Sequence, residues 1–325
     1  MKKLAHSLWY KAPYTIDIFK ENLSKPSSNH VLLKGLFSGI SRGSEALVYR
    51  GGVPEQEYKH MRAPMQQGEF SFPVKYGYCF VGEAVEDFQY GDKGQRFFSL
   101  APHQDFQYIS QDMLIPIPHD IPSIRACLAA NMETALNAIW DSSASLAQSI
   151  TIVGGGTVGC LVAYLLAQLP ATKVHLVDIN PKRKTLAETM GGIFCLPAMA
   201  PEEQDVVFHC SASHQGLQTA INCAGFESEV VELSWFGDQT LQLNLGGSFH
   251  RKRLRLLSSQ VGQVSQRQRA RLTHAQRLSK SLELLNNPIL DCLLAPPIDF
   301  FKAPKLLPPI LEGKTDTLCQ TINYS

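Results

Sequence analysis

The sequence predicts an α/β protein in which a doubly wound parallel sheet is inserted into a β-rich domain. Three observations carry that prediction. Residues 1–120 contain short β-like runs and no helical periodicity. From residue 150 onward, apolar strands alternate with helices. Between the first of those strands and its helix, the run ITIVGGGTVG (150–159) places Gly154, Gly156 and Gly159.

In chain order, the β-rich part holds YTIDIF, HVLLKGLFSGI, CFVGEAVEDF, QRFFSL, FQYIS and LIPIP, separated by Gly, Pro, Asn and Asp. Residues 121–148 turn helical, because IPSIRACLAANMETALNAIWDSSA repeats apolar residues every three or four positions. Then ITIVG precedes the helical TVGCLVAYLLAQL, VHLVD precedes PKRKTLAETMG, and DVVFHCSA precedes HQGLQTAINCAG. Two further strands, EVVELSWFG and RLRLLSSQVG, close the series. The tail carries an Arg-rich run, the helix SKSLELLNN, a Pro-rich segment and a last strand at CQTINY. The domains are drawn as 1–120 completed by 263–325, and 121–262.

Composition narrows the function classes. A chain of 325 residues with 44% hydrophobic and 18% charged residues has ample material for a core. A net charge of +1 gives no general case for a nucleic-acid partner. The longest apolar run, CLVAYLLAQL, is about half a membrane span, and the N-terminus lacks the apolar stretch of a signal peptide. These features predict a soluble, cytoplasmic protein with neither membrane nor nucleic acid as partner. The eight cysteines are at least 13 residues apart, which excludes a Cys-x-x-Cys structural zinc site and predicts buried free thiols.

The glycines form G-x-G-x-x-G in the strand-to-helix setting that the dinucleotide fingerprint requires. The first permits the turn, the second lets backbone approach a diphosphate, and the third lets helix and strand pack. Thr157, Val158 and Gly159 open the helix whose N–H groups face the phosphates. Asp178 ends the next strand, 24 residues after Gly154, where an acid bonds the ribose hydroxyls of NAD and repels the extra phosphate of NADP. Lys182 and Arg183 lie close by and would tolerate NADP, or they form a solvated first helical turn. NAD is the expected cofactor, with NADP admitted.

KGLFSGISRGSE (34–45), PVKYGYCFVGEAV (73–85), NMETALNAI (131–139), the glycine loop and RLRLLSSQVG (253–262) together resemble the medium-chain dehydrogenase/reductase superfamily, the alcohol dehydrogenase and quinone reductase group. The chain is similar in style to a zinc-poor branch that includes bacteriochlorophyllide dehydrogenases. The resemblance implies a Rossmann domain inserted into a GroES-like substrate domain, with the active site in the cleft between them. It also implies hydride transfer between a nicotinamide and an alcohol, ketone or activated alkene, and an expected homodimer.

The resemblance also shows where the chain departs from zinc-dependent members. Ser41, Tyr78 and Ala130 occupy the three ligand positions, and these side chains do not make a zinc site. Zinc-free chemistry is therefore expected. A metal enzyme with unusual ligands and a non-catalytic dinucleotide sensor are the rivals.

Without a metal, a side chain must polarise the substrate oxygen. Tyr78 is the first candidate, its alternative role being to wall the pocket; Lys75 would lower its pKa if both faced one way. Ser41 and Arg42 lie on the facing loop. Arg42 either meets substrate or pairs with Glu45, and Ser41 either meets substrate or caps a helix. The resemblance puts Thr134 beside the nicotinamide, Ser211 beside the adenosine half, and Ser259 and Gln260 where the last strand passes the nicotinamide. Glu133 shares a helix face with Asn137 and is either a proton carrier or half of a buried ion pair. His250 is either a general acid or a surface residue. The run Arg267, Arg269, Arg271, His274, Arg277 either closes over an anionic small-molecule substrate or forms a solvated face.

Overall fold

A computed structural model describes residues 3–325, which divide into two compact units, one running to Ala130 and including Leu278–Ser325, the other Asn131–Arg277. The first unit opens with β1 (Lys3–Ala12) and β2 (Thr15–Leu23), an antiparallel hairpin turning at Pro13–Tyr14 with Tyr14 at φ 60°. It continues through β3 (His30–Ile40), α1 (Arg42–Arg50), β4 (Gln67–Gly68), β5 (Val74–Lys75), β6 (Phe80–Ala84), β7 (Arg96–Ser99), β8 (Phe106–Ser110), β9 (Ile115–Pro116) and α2 (Ser123–Ala126).

The second unit takes in α3 (Ala129–Asp141), β10 (Ser149–Val153), α4 (Thr157–Leu166), β11 (Lys173–Val177), α5 (Arg183–Thr189), β12 (Ile193–Cys195), β13 (Gln204–His209), α6 (His214–Cys223), β14 (Ala224–Glu232), β15 (Arg255–Ser258) and the start of α7 (His274–Glu283). The chain then returns to the first unit with β16 (Leu294–Asp299), α8 (Ala303–Leu311) and β17 (Cys319–Asn323).

Among the described residues, the first unit holds a sheet ordered β2-β1-β5-β4 and another ordered β16-β17-β3-β6-β7-β9, with β8 also paired to β3. Alternation along β3 and β6 turns Val31, Leu33, Phe80 and Ala84 inward against Phe97, Ala101 and Ile109. The last strand of the chain, β17, pairs antiparallel with β3, so the tail completes this unit.

The second unit is one parallel sheet ordered β12-β11-β10-β13-β14-β15. Counted from its first strand, that order is 3-2-1-4-5-6, the doubly wound dinucleotide-binding arrangement. Its strands are apolar because helices cover both faces: Val153, Val177, Val207 and Val230 pack with Leu217 and Ile221 of α6. β10 and β13 are neighbours, so the topological switch point falls between the loops that follow them.

Both junctions fall later in the chain than the sequence placed them. α2 packs on β3 and β6 and so stays with the first unit. Residues 263–277 stay with the second because Arg277 is anchored on α3. Five of the eight cysteines are buried, Cys195 and Cys210 are partly so, and Cys292 is exposed. Among the described residues no helix is long and apolar enough to cross a membrane.

Candidate functional site

The glycine loop is built as the spacing predicts. Gly154 adopts φ 112°, and a Cβ there would stand 2.7 Å from the Ser211 amide. Its N–H donates to the Val177 carbonyl at 2.8 Å, while the Cys210 N–H donates to the Val153 carbonyl at 2.8 Å. The loop is thus tied to the ends of both neighbouring strands. Gly156 is the N-cap of α4, supplies no side-chain cap, and would carry a Cβ into open space. The backbone surface there is bare while Thr157, Val158 and Gly159 begin the helix, the arrangement that receives an anionic group. Gly159 differs: a Cβ there would lie 1.9 Å from the Gly154 carbonyl oxygen.

Asp178 follows β11 and turns back onto the loop. Its Oδ2 accepts from the Gly155 N–H at 2.6 Å and its Oδ1 from the Asn180 N–H at 2.8 Å. Arg183 lies beside it, its Cγ 3.4 Å from where a Gly155 Cβ would be, whereas Lys182 is exposed.

Ser211 follows β13 on the other side of the switch point. Its hydroxyl bonds His209 Nε2 at 2.7 Å and Ser213 Oγ at 2.9 Å. His209 Nδ1 reaches Glu232 Oε2 at 2.6 Å. The sequence reading singled out neither His209 nor Glu232. Each is a polar residue that closes an apolar strand, β13 and β14, and that is the signal in the sequence that marks them.

On α3, Glu133, Asn137 and Asp141 recur every four residues and form one polar stripe. Arg277 donates to it from Nε to Glu133 Oε1 at 2.9 Å and from Nη1 to Asn137 Oδ1 at 2.6 Å. The same guanidinium donates to the Gln263 carbonyl at 2.9 Å and the Val261 carbonyl at 2.5 Å. Burial raises the Glu133 pKa above the ordinary carboxylate value, against the opposing pull of Arg277. Glu133 is therefore half of a buried ion pair, the second of its two expected roles.

Ser259 donates to Asp141 Oδ2 at 2.7 Å, so its hydroxyl hydrogen is directed at α3. Exposed Gln260 folds its Oε1 onto the Gly262 N–H at 2.7 Å, and Thr134 is partly exposed on α3. The arginine run divides: Arg277 is buried, Arg267 donates to the Ser142 carbonyl, and Arg269 and Arg271 are exposed. Arg277 is thus unavailable to an anionic substrate. His250 is exposed.

In the first unit, Tyr78 donates to Ser44 Oγ at 2.9 Å and is hydrogen-bonded to Ser41. Burial raises its pKa, while the bonds to Ser41 and Ser44 act the other way. Lys75 does not lower it, because its ammonium is held by Glu21 at 3.1 Å and Gln104 at 2.9 Å. Burial lowers the pKa of Lys75, with Glu21 opposing. Ser41 occupies the N-cap position of α1 without a side-chain capping bond; its N–H instead donates to Glu45 Oε1 at 2.8 Å. Arg42 donates to the Thr317 carbonyl at 3.0 Å.

Glu45 faces inward. Its Oε2 accepts from the Tyr10 hydroxyl at 2.7 Å and meets His103 Nε2 at 2.9 Å, with both the Glu45 and His103 side chains 0% exposed. His103 Nδ1 continues to Ser38 Oγ at 2.8 Å, and Ser38 to Tyr324 at 2.8 Å. This row joins β1, α1, β3 and the chain end. His103 sits in LAPHQDF, a loop with no periodicity, so nothing in the sequence marked it.

The three positions that the resemblance assigns to zinc ligands are filled by Ser41, Tyr78 and Ala130. Ser41 and Tyr78 offer neutral hydroxyls and Ala130 a methyl. Among the described residues, no group of three His, Cys, Asp or Glu could hold a metal ion.

No family model matches the chain. It is 25% identical over 262 residues to the (R,R)-butanediol dehydrogenase of Bacillus subtilis (strain 168), covering 67% of this chain and 74% of that one. Among solved structures, L-idonate 5-dehydrogenase from Escherichia coli K-12 superposes with a TM-score of 0.81 at 14% identity, covering 100% of this chain and 99% of the other. A dehydrogenase from Sinorhizobium meliloti 1021, described as zinc-binding and bound to NADP, superposes at 0.79 with 16% identity, covering 99% and 100%. At such identities the two structures speak for the fold.

Proposed function

We propose that this chain, a medium-chain dehydrogenase/reductase and a nicotinamide-dependent oxidoreductase, prefers NAD(H) and works without zinc on an alcohol, ketone or activated alkene. The observation that carries the reading is the loop after β10, where an open Gly156, an uncapped helix start and the acid Asp178 meet. Bound there, the dinucleotide supplies or accepts a hydride.

The residues of the chain do the rest. The Gly156–Gly159 amides hold the diphosphate, and Asp178 accepts from a ribose hydroxyl. Tyr78, a neutral phenol whose pKa burial raises, turns its one hydrogen from Ser44 to the substrate oxygen and yields it as that oxygen takes charge. Ser44 and Ser41 orient the phenol. The tyrosine is thus an acid in the reducing direction, which favours carbonyl reduction. A cytoplasmic homodimer acting on a small molecule belongs to the same reading.

Two substitutions test it. Tyr78→Phe is expected to lower kcat about 100-fold and leave the Kd for NADH within twofold; unchanged turnover of every alcohol and ketone accepted by wild type would reduce Tyr78 to a wall of the pocket. Asp178→Ala is expected to weaken NADH binding about tenfold while NADPH binding changes little or improves. Equal losses for both cofactors in calorimetry would remove the ribose assignment.

A further inference from the structure

Tyr78 lies outside any helix or strand, between β5 and β6, and its partner Ser44 stands on α1, 34 residues earlier. One buried side chain meets both segments. His103 Nε2 lies 2.9 Å from Glu45 Oε2 on α1. A Cβ on Gly77 would stand 2.6 Å from that same nitrogen and 2.8 Å from the ring carbon Cδ2. The imidazole therefore fills the space that a side chain at position 77 would take. Gly77 adopts φ 131°, a conformation that glycine permits, and the next residue is Tyr78.

The ring is held from every side. The His103 carbonyl accepts from the Leu8 N–H at 2.9 Å, and Nδ1 bonds Ser38 Oγ on β3 at 2.8 Å. A carboxylate only accepts, so the bond to Glu45 uses a hydrogen on Nε2. Glu45 is fixed in turn. Its other contacts are the Tyr10 hydroxyl at 2.7 Å and the Ser41 N–H at 2.8 Å, at the start of α1. Just past Tyr78, the Cys79 carbonyl accepts from the Gly39 N–H of β3 at 2.9 Å. The backbone on both sides of the phenol is thus seated on the same framework as His103.

We infer that His103 is a positioning residue for Tyr78: braced by Glu45 and seated against Gly77, it sets the distance between the phenol and the serines of α1. This rests on the reading of Tyr78 as proton donor and deepens it. In that reading the hydroxyl turns its hydrogen from Ser44 to the substrate, so phenol and serines must keep their register while the bond changes. His103 acts through the Gly77 backbone and through Glu45. Misplacement by about 1 Å at a reacting centre costs up to about 100-fold in rate. Packing and positioning differ in how they couple to Tyr78. A packing loss slows turnover equally with and without the phenol. A positioning loss has nothing to act on once the hydroxyl is gone.

Two substitutions separate the bonds of the ring. His103→Gln keeps an amide N–H for Glu45, whereas His103→Asn is too short for Glu45 and keeps only the Ser38 side. The assay is NADH-dependent reduction of whichever aliphatic, cyclic or aromatic ketone wild type turns over fastest. His103→Asn is expected to lower kcat about tenfold with the Kd for NADH within about twofold, and His103→Gln to stay within about threefold of wild type. In a Tyr78→Phe background, the Asn substitution should change kcat less than about twofold. NMR of tyrosine isotopically labelled at Cζ needs no substrate. The Tyr78 resonance, identified by its loss in Tyr78→Phe, should move in His103→Asn and hold in His103→Gln. His103→Leu, which keeps neither bond, replaces His103→Asn if circular dichroism shows that variant unfolded. A Tyr78 resonance that holds in all variants, or an equal loss of kcat with and without the Tyr78 hydroxyl, overturns the inference. Full turnover by Tyr78→Phe with His103 intact overturns the reading of Tyr78 itself, and the inference with it.

Discussion

Gly159→Ala is expected to abolish binding of NADH, with Kd raised more than about 100-fold, and to destabilise the fold as well. The added Cβ would meet the Gly154 carbonyl oxygen at 1.9 Å. Neither partner can yield cheaply. Gly154 is bonded to Val177 and pressed against Ser211, while α4 is buried from Gly159 through Tyr164. Overpacking of this kind costs about 1–3 kcal/mol, and relief comes only by moving α4 away from the loop. Gly156→Ala separates the two effects. Its Cβ meets nothing within 4 Å, so the thermal midpoint should hold while the close approach of a diphosphate is lost. Calorimetry and thermal unfolding on both variants check this. A Gly156→Ala protein that binds NADH like wild type would remove the diphosphate from the loop.

The nucleotide half of the molecule was legible because its signals are local. G-x-G-x-x-G, the acid after the second strand and the apolar strands all follow from backbone geometry over a few residues. What escaped was non-local or disguised. LAPPIDFFKAPKLLPPI reads as a Pro-rich connection, yet it folds as β16 and α8, with Pro308 and Pro309 inside the helix. Tertiary packing decides there: α8 lies on β2 and α1, and buries Leu307, Ile310 and Leu311. β1 was missed because polar residues interrupt its apolar ones, although Ala5, Leu8 and Tyr10 bury on pairing with β2.

Site residues followed the same division. Asp178 follows β11 and accepts from the Gly155 N–H, and the glycines lie between β10 and α4, a geometry set by neighbours in the chain. Lys75 is not placed that way: its partner Glu21 is 54 residues away in the chain. The Tyr10–Glu45–His103–Ser38–Tyr324 row assembles from five separate segments, which no spacing rule connects.

Removing the Arg277 guanidinium should produce the largest loss of stability. In Arg277→Met, the carboxylate of Glu133 stays buried without its cation, the Val261 and Gln263 carbonyls lose the donor Arg277 gave them, and Asn137 keeps only the Ser265 N–H on its oxygen. Arg277 and Glu133 are 2% and 5% exposed, so water does not replace the lost bonds. Breaking one side of such a pair costs about 3–5 kcal/mol. The double variant Glu133→Gln with Arg277→Met should lose less than the sum, since no unpaired charge remains.

A pH dependence accompanies the loss. Burial already raises the Glu133 pKa, and without Arg277 only His274 pulls the other way. A carboxyl with a raised folded-state pKa binds its proton more tightly folded than unfolded, so its contribution is full below the unfolded value and is lost as pH rises through the folded one. Arg277→Met should therefore regain stability as the pH falls from neutral toward the ordinary carboxylate range, and Arg277→Met with Glu133→Gln should not. Urea unfolding at several pH values reads both. Equal pH profiles for the single and double variants would mean that Glu133 is not the carboxylate Arg277 neutralises.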